Sequence, residues 1–273
     1  MRRRWLALAG AVPLLVLVGL LVWQQRTLGT AAVLFAGTEE DADCAILLSD
    51  GACAVIDAGE EQDGPHIVEL LEAQGVDRID CLLLTHPDKD HVGGAALLLD
   101  RFPVGRLVTP AYDREDKRRY WDLLAQAEAL GIPVEQPQQA AGLSCGDWDL
   151  QLLPPREAHY KKSNNYSLAI SARHGEVTVF LAGDAENKRI GELLDLPLPR
   201  EVDLYKVAHH GRDSQKGPAL IRKLSPVIAV VPAREPEPET RQALEAAGAV
   251  IYSTVGQDLC FHSDGHRLTL QQP

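Results

Sequence analysis

Four side chains able to bind metal, His86, Asp88, Asp90 and His91, fall within six residues of one stretch, Thr85-His86-Pro87-Asp88-Lys89-Asp90-His91-Val92-Gly93-Gly94. Imidazole nitrogens and carboxylate oxygens this close together can hold cations, and a turn between a buried strand and a helix can aim them at one point. The apolar run Ile79-Asp80-Cys81-Leu82-Leu83-Leu84 reads as that strand, and the two glycines lead into the apolar Ala95-Ala96-Leu97-Leu98-Leu99. Pro87 keeps His86 extended and donates no hydrogen bond, which suits a rigid ligand turn. Lys89 is expected to point into solvent. The stretch reads as the start of a two-metal site that other segments must complete.

The elements that would carry it follow from pattern. Strands are expected at residues 32–35, 45–48, 53–56 and 79–84, then at 149–153, 167–172, 177–182, 204–208, 227–231 and 250–252. Helices fit residues 66–74, 116–130, 187–194, 219–224 and 240–247, with Gly75 and Gly131 stopping the first two. Two strand-rich halves with helices outside predict an α/β sandwich in four layers, αββα. Residues 45–48 and 53–56 form a hairpin turning at Ser49-Asp50-Gly51-Ala52, with Leu48 facing Cys53. Cys44 then faces Asp57, so no disulfide to Cys53 is expected. The five cysteines include no Cys-x-x-Cys pair and read mostly as small core residues.

Of 273 residues, 45% are hydrophobic and 24% charged, ordinary values for a chain with a real core. Net charge is -12, although the first thirty residues hold four arginines and no acids. The acidic remainder argues against gripping nucleic acid by bulk electrostatics. Bound cations would reverse the sign locally, so a nucleic-acid substrate stays open. The charge-mixed segment 113–121 reads as a solvent-facing helix. Residues 5–23 are apolar and uncharged, flanked by Arg2-Arg3-Arg4 and Arg26, with Trp5 and Trp23 at the ends. As a helix they span about 28 Å, a bilayer's hydrocarbon thickness. Residues 1–30 are therefore expected to be cytoplasmic arginines plus a single-pass signal-anchor helix, with residues 31–273 outside the cytoplasm. The rival reading is a cleaved signal peptide processed near Gly29-Thr30-Ala31, which exports the same domain.

Three later stretches carry further ligand types: Gly183-Asp184 after an apolar strand, His209-His210-Gly211 after another, and Asn164-Asn165-Tyr166-Ser167 before a third. Each alone is weak, because an aspartate after a strand is commonly a turn or cap residue. In this order, with Asp57-Ala58-Gly59 after an early strand, the set resembles the metallo-β-lactamase superfamily. Within it, His86 to Gly94, Asn164 to Ser167, Gly183-Asp184 and His209 to Gly211 are similar to the motifs of the exported metallo-hydrolase domain of ComEC competence proteins and their stand-alone relatives. The resemblance covers roughly residues 31–260. It departs at Ala36-Gly37-Thr38-Glu39-Glu40-Asp41-Ala42-Asp43, where relatives carry a Gly-Gln-Gly-Asp-type loop bordering the substrate cleft. Residues 1–30 offer one apolar run and are not expected to form the relatives' many-helix membrane channel.

The resemblance implies two divalent metal ions and hydrolysis. His86 and Asp88 would hold one ion, Asp90 and His91 the other, and Asp184 would bridge them. Either His209 or His210 would complete the second set, with His209 favoured for its place nearer the strand end. Asp88, standing for the superfamily's second histidine, makes the donor set harder and favours Mn2+ while leaving Zn2+ open. Two ions about 3.5–4 Å apart would acidify a shared water to hydroxide at neutral pH. Asp90 and His210 are the catalytic candidates, His210 as proton donor to the leaving group or as support for its neighbour. Asn164, Asn165 and Ser167 would orient a substrate phosphate oxygen; Lys161 and Lys162 beside them read as a solvated pair. The expected function is a membrane-anchored extracytoplasmic hydrolase of the phosphodiesterase or nuclease kind, with DNA among its candidate substrates and no protein partner. The alternatives are hydrolysis of another ester, such as a choline phosphodiester or lactone, and a non-catalytic cell-surface binding module.

Overall fold

Apolar side chains on both faces of most strands require cover on both faces, and this sets the architecture. The structure is a computed structural model describing residues 29–39 and 41–271. In chain order, β1 (Ala31–Phe35), β2 (Ala45–Ser49), β3 (Ala52–Ile56), β4 (Cys81–Leu83), β5 (Leu107–Val108) and β6 (Val134–Glu135) build a first sheet. A second sheet contains β7 (Ala141–Cys145), β8 (Trp148–Leu153), β9 (Ala169–His174), β10 (Val177–Leu181), β11 (Leu204–Lys206), β12 (Ile228–Val231) and β13 (Val250–Ser253). β14 (Leu259–Ser263) and β15 (Leu268–Leu270) then return to the first sheet beside β1.

Alternation sorts each strand into two cores. Leu47, Leu83 and Phe261 of the first sheet meet Trp148, Ile170 and Leu181 of the second in the central layer. Ile46, Val55 and Leu82 point the other way, onto the helices Gly64–Ala73, Ala95–Arg101 and Arg118–Ala129 through Ile67, Leu98 and Leu123. Phe180 and Tyr205 likewise meet the helices Asn187–Leu194, Gly217–Leu224 and Pro238–Ala246 through Ile190, Leu220 and Leu244. The αββα order is the expected one.

Strand direction matters more for function. β3 to β6 run parallel, as do β10 to β13. Loops at the carboxyl ends of parallel strands gather at one rim, where open α/β sheets place their ligands.

The hairpin register is as expected, with Leu48 opposite Cys53, and all five cysteines are free. Two strands are shorter than expected. Residues 79–84 reduce to Cys81–Leu83, with Ile79 making only an isolated bridge to Val104. Residues 204–208 end at Lys206, because Ala208–Gly211 coils into a tight turn. β5, β6, β7, β14 and β15 were not expected; β5 and β6 are two residues each, and β7 alternates exposed and half-covered residues at a sheet edge, too polar to announce itself. Residues 5–23, expected to form the membrane helix, lie outside the described residues. Among the described residues no helix is long and apolar enough to cross a membrane.

Candidate metal centre

Four loops following parallel strands converge on the site: Asp57 follows β3, His86 follows β4, Asp184 follows β10 and His210 follows β11. Asp57 takes a left-handed backbone (φ 60°) and aims its buried carboxylate at the His86 turn. Its Oδ1 accepts from the Thr85 amide (2.7 Å), and its Oδ2 accepts from the Thr85 hydroxyl (2.7 Å) and His91 Nδ1 (2.8 Å). The Ala58 amide donates to the His91 carbonyl at 2.7 Å, so loop and helix lie backbone to backbone. Gly93 and Gly94 make that approach possible. A Cβ on Gly93 would stand 2.4 Å from the Glu61 nitrogen, and one on Gly94 2.4 Å from the Ala58 oxygen.

The ligand atoms of Asp90, His91, Asp184 and His210 all lie within 4.8 Å of one another. His210 Nε2 is 3.1 Å from Asp90 Oδ2 and 3.1 Å from Asp184 Oδ2, and His91 Nε2 is 3.3 Å from Asp184 Oδ1. His86 Nε2 adjoins them, 3.7 Å from Asp88 Oδ2 and 4.0 Å from Asp184 Oδ2. Asp184 therefore stands between His86 on one side and His91 with His210 on the other.

The donor set fits a cation. His86 Nε2, His91 Nε2 and Asp184 Oδ1 are buried without a hydrogen-bond partner, a costly state for three converging polar atoms. Because a carboxylate only accepts, Asp57 fixes the proton on His91 Nδ1 and turns the Nε2 lone pair toward Asp184. Lone pair against lone pair calls for a positive charge between them. Without metal that charge is a proton. Burial opposes it, but Asp184, Asp57 and Asp43 outweigh burial and hold His91 well above the usual imidazole range. At His210 burial is likewise outweighed, by Asp184 and Asp43, and the ring rises to about 11. His86 goes the other way, pushed down to about 4 by burial and by His91. Burial would raise the Asp184 carboxyl, yet His210 and His91 hold it well below the ordinary range.

His86, Asp88, Asp90, His91 and Asp184 are thus brought together as expected. His210, rather than His209, completes the cluster. His209 and His210 both take left-handed backbone (φ 51° and 52°), which swings the second ring inward and leaves the first partly exposed, its Nε2 3.4 Å from Arg212. Such conformations cost about 1–3 kcal/mol each and persist where the surroundings impose them. His210 Nε2 faces two carboxylates, so the structure places the second histidine of the pair, and not the first, where the cluster could use a ligand.

The Asn164-Asn165-Tyr166-Ser167 turn, expected to orient a substrate oxygen, packs against the segment that carries Asp184. Asn165 is buried and its Oδ1 accepts from the Arg189 amide at 2.9 Å, in the first turn of the helix Asn187–Leu194. Ser167 is fully buried; its hydroxyl donates to the Asn164 carbonyl (2.7 Å) and accepts from the Asp184 amide (3.0 Å). Ser167 thus supports the loop that carries Asp184, and Asn165 supports the helix that follows it. Asn164 is half-buried beside Ser163, whose hydroxyl donates to Asp88 Oδ2 at 2.8 Å. Lys162 pairs with Glu186 (2.5 Å) and Lys89 with Glu60 (2.7 Å), both away from the cluster.

Two buried residues had not been singled out. Asp43, at the end of the departing loop, forms an ion pair with Lys206, the last residue of β11. A lysine inside an apolar strand was the available signal, since such a charge needs a partner.

The sequence profile of the metallo-β-lactamase superfamily matches residues 37–233. The chain is 31% identical over 168 residues to ComE operon protein 3 of Bacillus subtilis, covering 61% of this chain and 21% of that protein. It is 25% identical over 196 residues to Recombination protein 2 of Haemophilus influenzae, covering 68% of this chain and 22% of that protein. The chain thus spans about a fifth of the length of these relatives. Among solved structures, the metallo-β-lactamase fold protein YhfI of Bacillus subtilis superposes with a TM-score of 0.58 at 11% identity, over 86% of this chain and 100% of that one. Ligand cluster, layer order and profile agree, and the chain belongs to the metallo-β-lactamase superfamily.

Proposed function

We propose that this protein is a dinuclear metal-dependent phosphodiesterase or nuclease, anchored in the membrane by residues 5–23 with its site outside the cytoplasm. The observation that carries the reading is the converging set of His86, Asp88, Asp90, His91, Asp184 and His210, rich in carboxylate and open on the side of Asp88 and Asp90. Three aspartates favour Mn2+ and admit Zn2+. When bound, such ions supply Lewis acidity and lower the pKa of water to near neutrality.

This chain's own residues do the rest. Asp57 and Thr85 orient the histidines, and Ser167 holds the Asp184 amide. Lys117, Arg118 and Arg119 line the groove that also contains Pro87, Asp88 and Asp90, and Lys117 Nζ is 2.7 Å from Asp88 Oδ1. Once cations neutralise those aspartates, the rim becomes basic enough to receive a phosphodiester. Segment 113–121, expected only as a solvated helix, thus borders the site. Likeness to a protein named for recombination favours a nucleic-acid phosphodiester among the substrates. The purified chain, loaded in parallel with Mn2+ or Zn2+, should cleave bis(p-nitrophenyl) phosphate or single-stranded DNA, and Asp184→Ala should not. Equal rates for the two proteins would refute the proposal.

A further inference from the structure

Behind the ligand cluster lies a buried ion pair that the hydrolytic reading does not use. Lys206 and Asp43 are each about 95% buried, and neither side chain lines the groove. Replacing such a pair with apolar residues commonly leaves stability unchanged or improved, so stability alone is a poor reason for it. Its contacts give a better one. Asp43 Oδ1 lies 3.4 Å from His210 Nδ1, and its Oδ2 lies 3.6 Å from His91 Nδ1. The Asp43 amide donates to the Asp90 carbonyl at 3.1 Å. Lys206 Nζ donates to the Gly183 carbonyl at 3.1 Å and stands 3.7 Å from Asp184 Oδ1. Every residue of the Asp90, His91, Asp184 and His210 set therefore meets the pair directly or through its adjoining backbone.

We propose that Asp43 and Lys206 are positioning residues for this half of the centre. Asp43 stands toward His210 as Asp57 stands toward His91, but at a longer reach: its Oδ1 and His210 Nδ1, 3.4 Å apart and both without a hydrogen-bond partner, are placed to share the Nδ1 proton, which turns Nε2 toward the ion. Lys206 pins Asp43 and fixes Gly183, and with it the direction of the Asp184 carboxylate. Charge supports the assignment: the buried Asp43 carboxylate adds to those of Asp57, Asp90 and Asp184 around the histidines, and the Lys206 ammonium offsets it.

The inference rests on the two-ion reading, so the test reads metal binding and needs no substrate. The full chain is titrated with Zn2+ against a chromophoric chelator and, separately, with Co2+ while its visible absorption is recorded. Wild type should bind two ions. Asp43→Ala and Lys206→Met should each bind the second about 10–100-fold more weakly and shift the Co2+ band of that ion in wavelength, with Asp43→Asn, which keeps an acceptor for His210, restoring the band. A lone buried charge can prevent folding. The double variant Asp43→Asn/Lys206→Met removes both charges, and in it the second ion should still bind at least about 10-fold more weakly. Two ions bound with wild-type affinity and an unshifted band in the variants would overturn the assignment and leave the two-ion reading standing. Wild type binding fewer than two ions would overturn both.

Discussion

Loading this site with metal should expel protons, because carboxylates crowd two of its three histidines. His91 and His210 are held charged without metal by the carboxylates around them, whereas His86 is pushed down to about 4 and is neutral at pH 6. An ion needs the free Nε2 lone pair of each histidine, so binding at pH 6 should release about two protons, one from His91 and one from His210. At that pH water near the ions keeps its protons and adds nothing to the count. Two displaced protons make the apparent affinity rise about 100-fold per pH unit, about 2.7 kcal/mol. The metal-free protein runs in the opposite sense. His210 has its folded pKa raised above the unfolded value, so its contribution to stability is fully present below about 6.5 and is lost as pH rises through about 11. Calorimetric titration in buffers of different ionisation enthalpy gives the proton count as a slope. A slope near zero would show that the carboxylates do not hold protons on these rings; a slope near three would refute the separate treatment of His86.

Two further outcomes separate ligands from supports. His209→Ala should keep both ions, whereas His210→Ala should weaken the second by more than about 100-fold, beyond the loss typical of residues standing behind a ligand; equilibrium dialysis distinguishes them. Asn165→Ala should leave metal content unchanged and lower stability by about 1–3 kcal/mol, because the Arg189 amide loses its buried acceptor; a urea midpoint equal to wild type would restore Asn165 as a substrate-facing candidate.

Much of this was legible in the residues. The turn from His86 to His91 reads as a ligand site because its donor types are crowded after a buried strand, and Gly183-Asp184 is readable once that turn is known. The αββα order follows from apolar runs too continuous for a sheet with one wet face. What stayed hidden depends on backbone conformation and on contacts between distant segments. Proximity to the strand end favours His209, but two left-handed residues reverse which ring points inward. Asn165 and Ser167 look like exposed turn polars until the helix Asn187–Leu194 and the Asp184 loop close over them. Asp43 and Lys206 lie 163 positions apart, and only the packing of one sheet on the other makes them a pair.

The ligands' places in the two sheets bear on how the molecule comes apart. His86, Asp88, Asp90 and His91 belong to the first sheet's rim, Asp184 and His210 to the second's. Bound ions would therefore act as a clasp across the seam of the sandwich, tying halves whose central contact is otherwise mostly hydrocarbon. Anything that binds only the folded chain stabilises it by mass action, about 2.7 kcal/mol at a hundred times the dissociation constant. Availability of divalent metal would thus bear on the stability of the folded domain, and depletion would remove the tie between the two sheets at the rim where these residues meet.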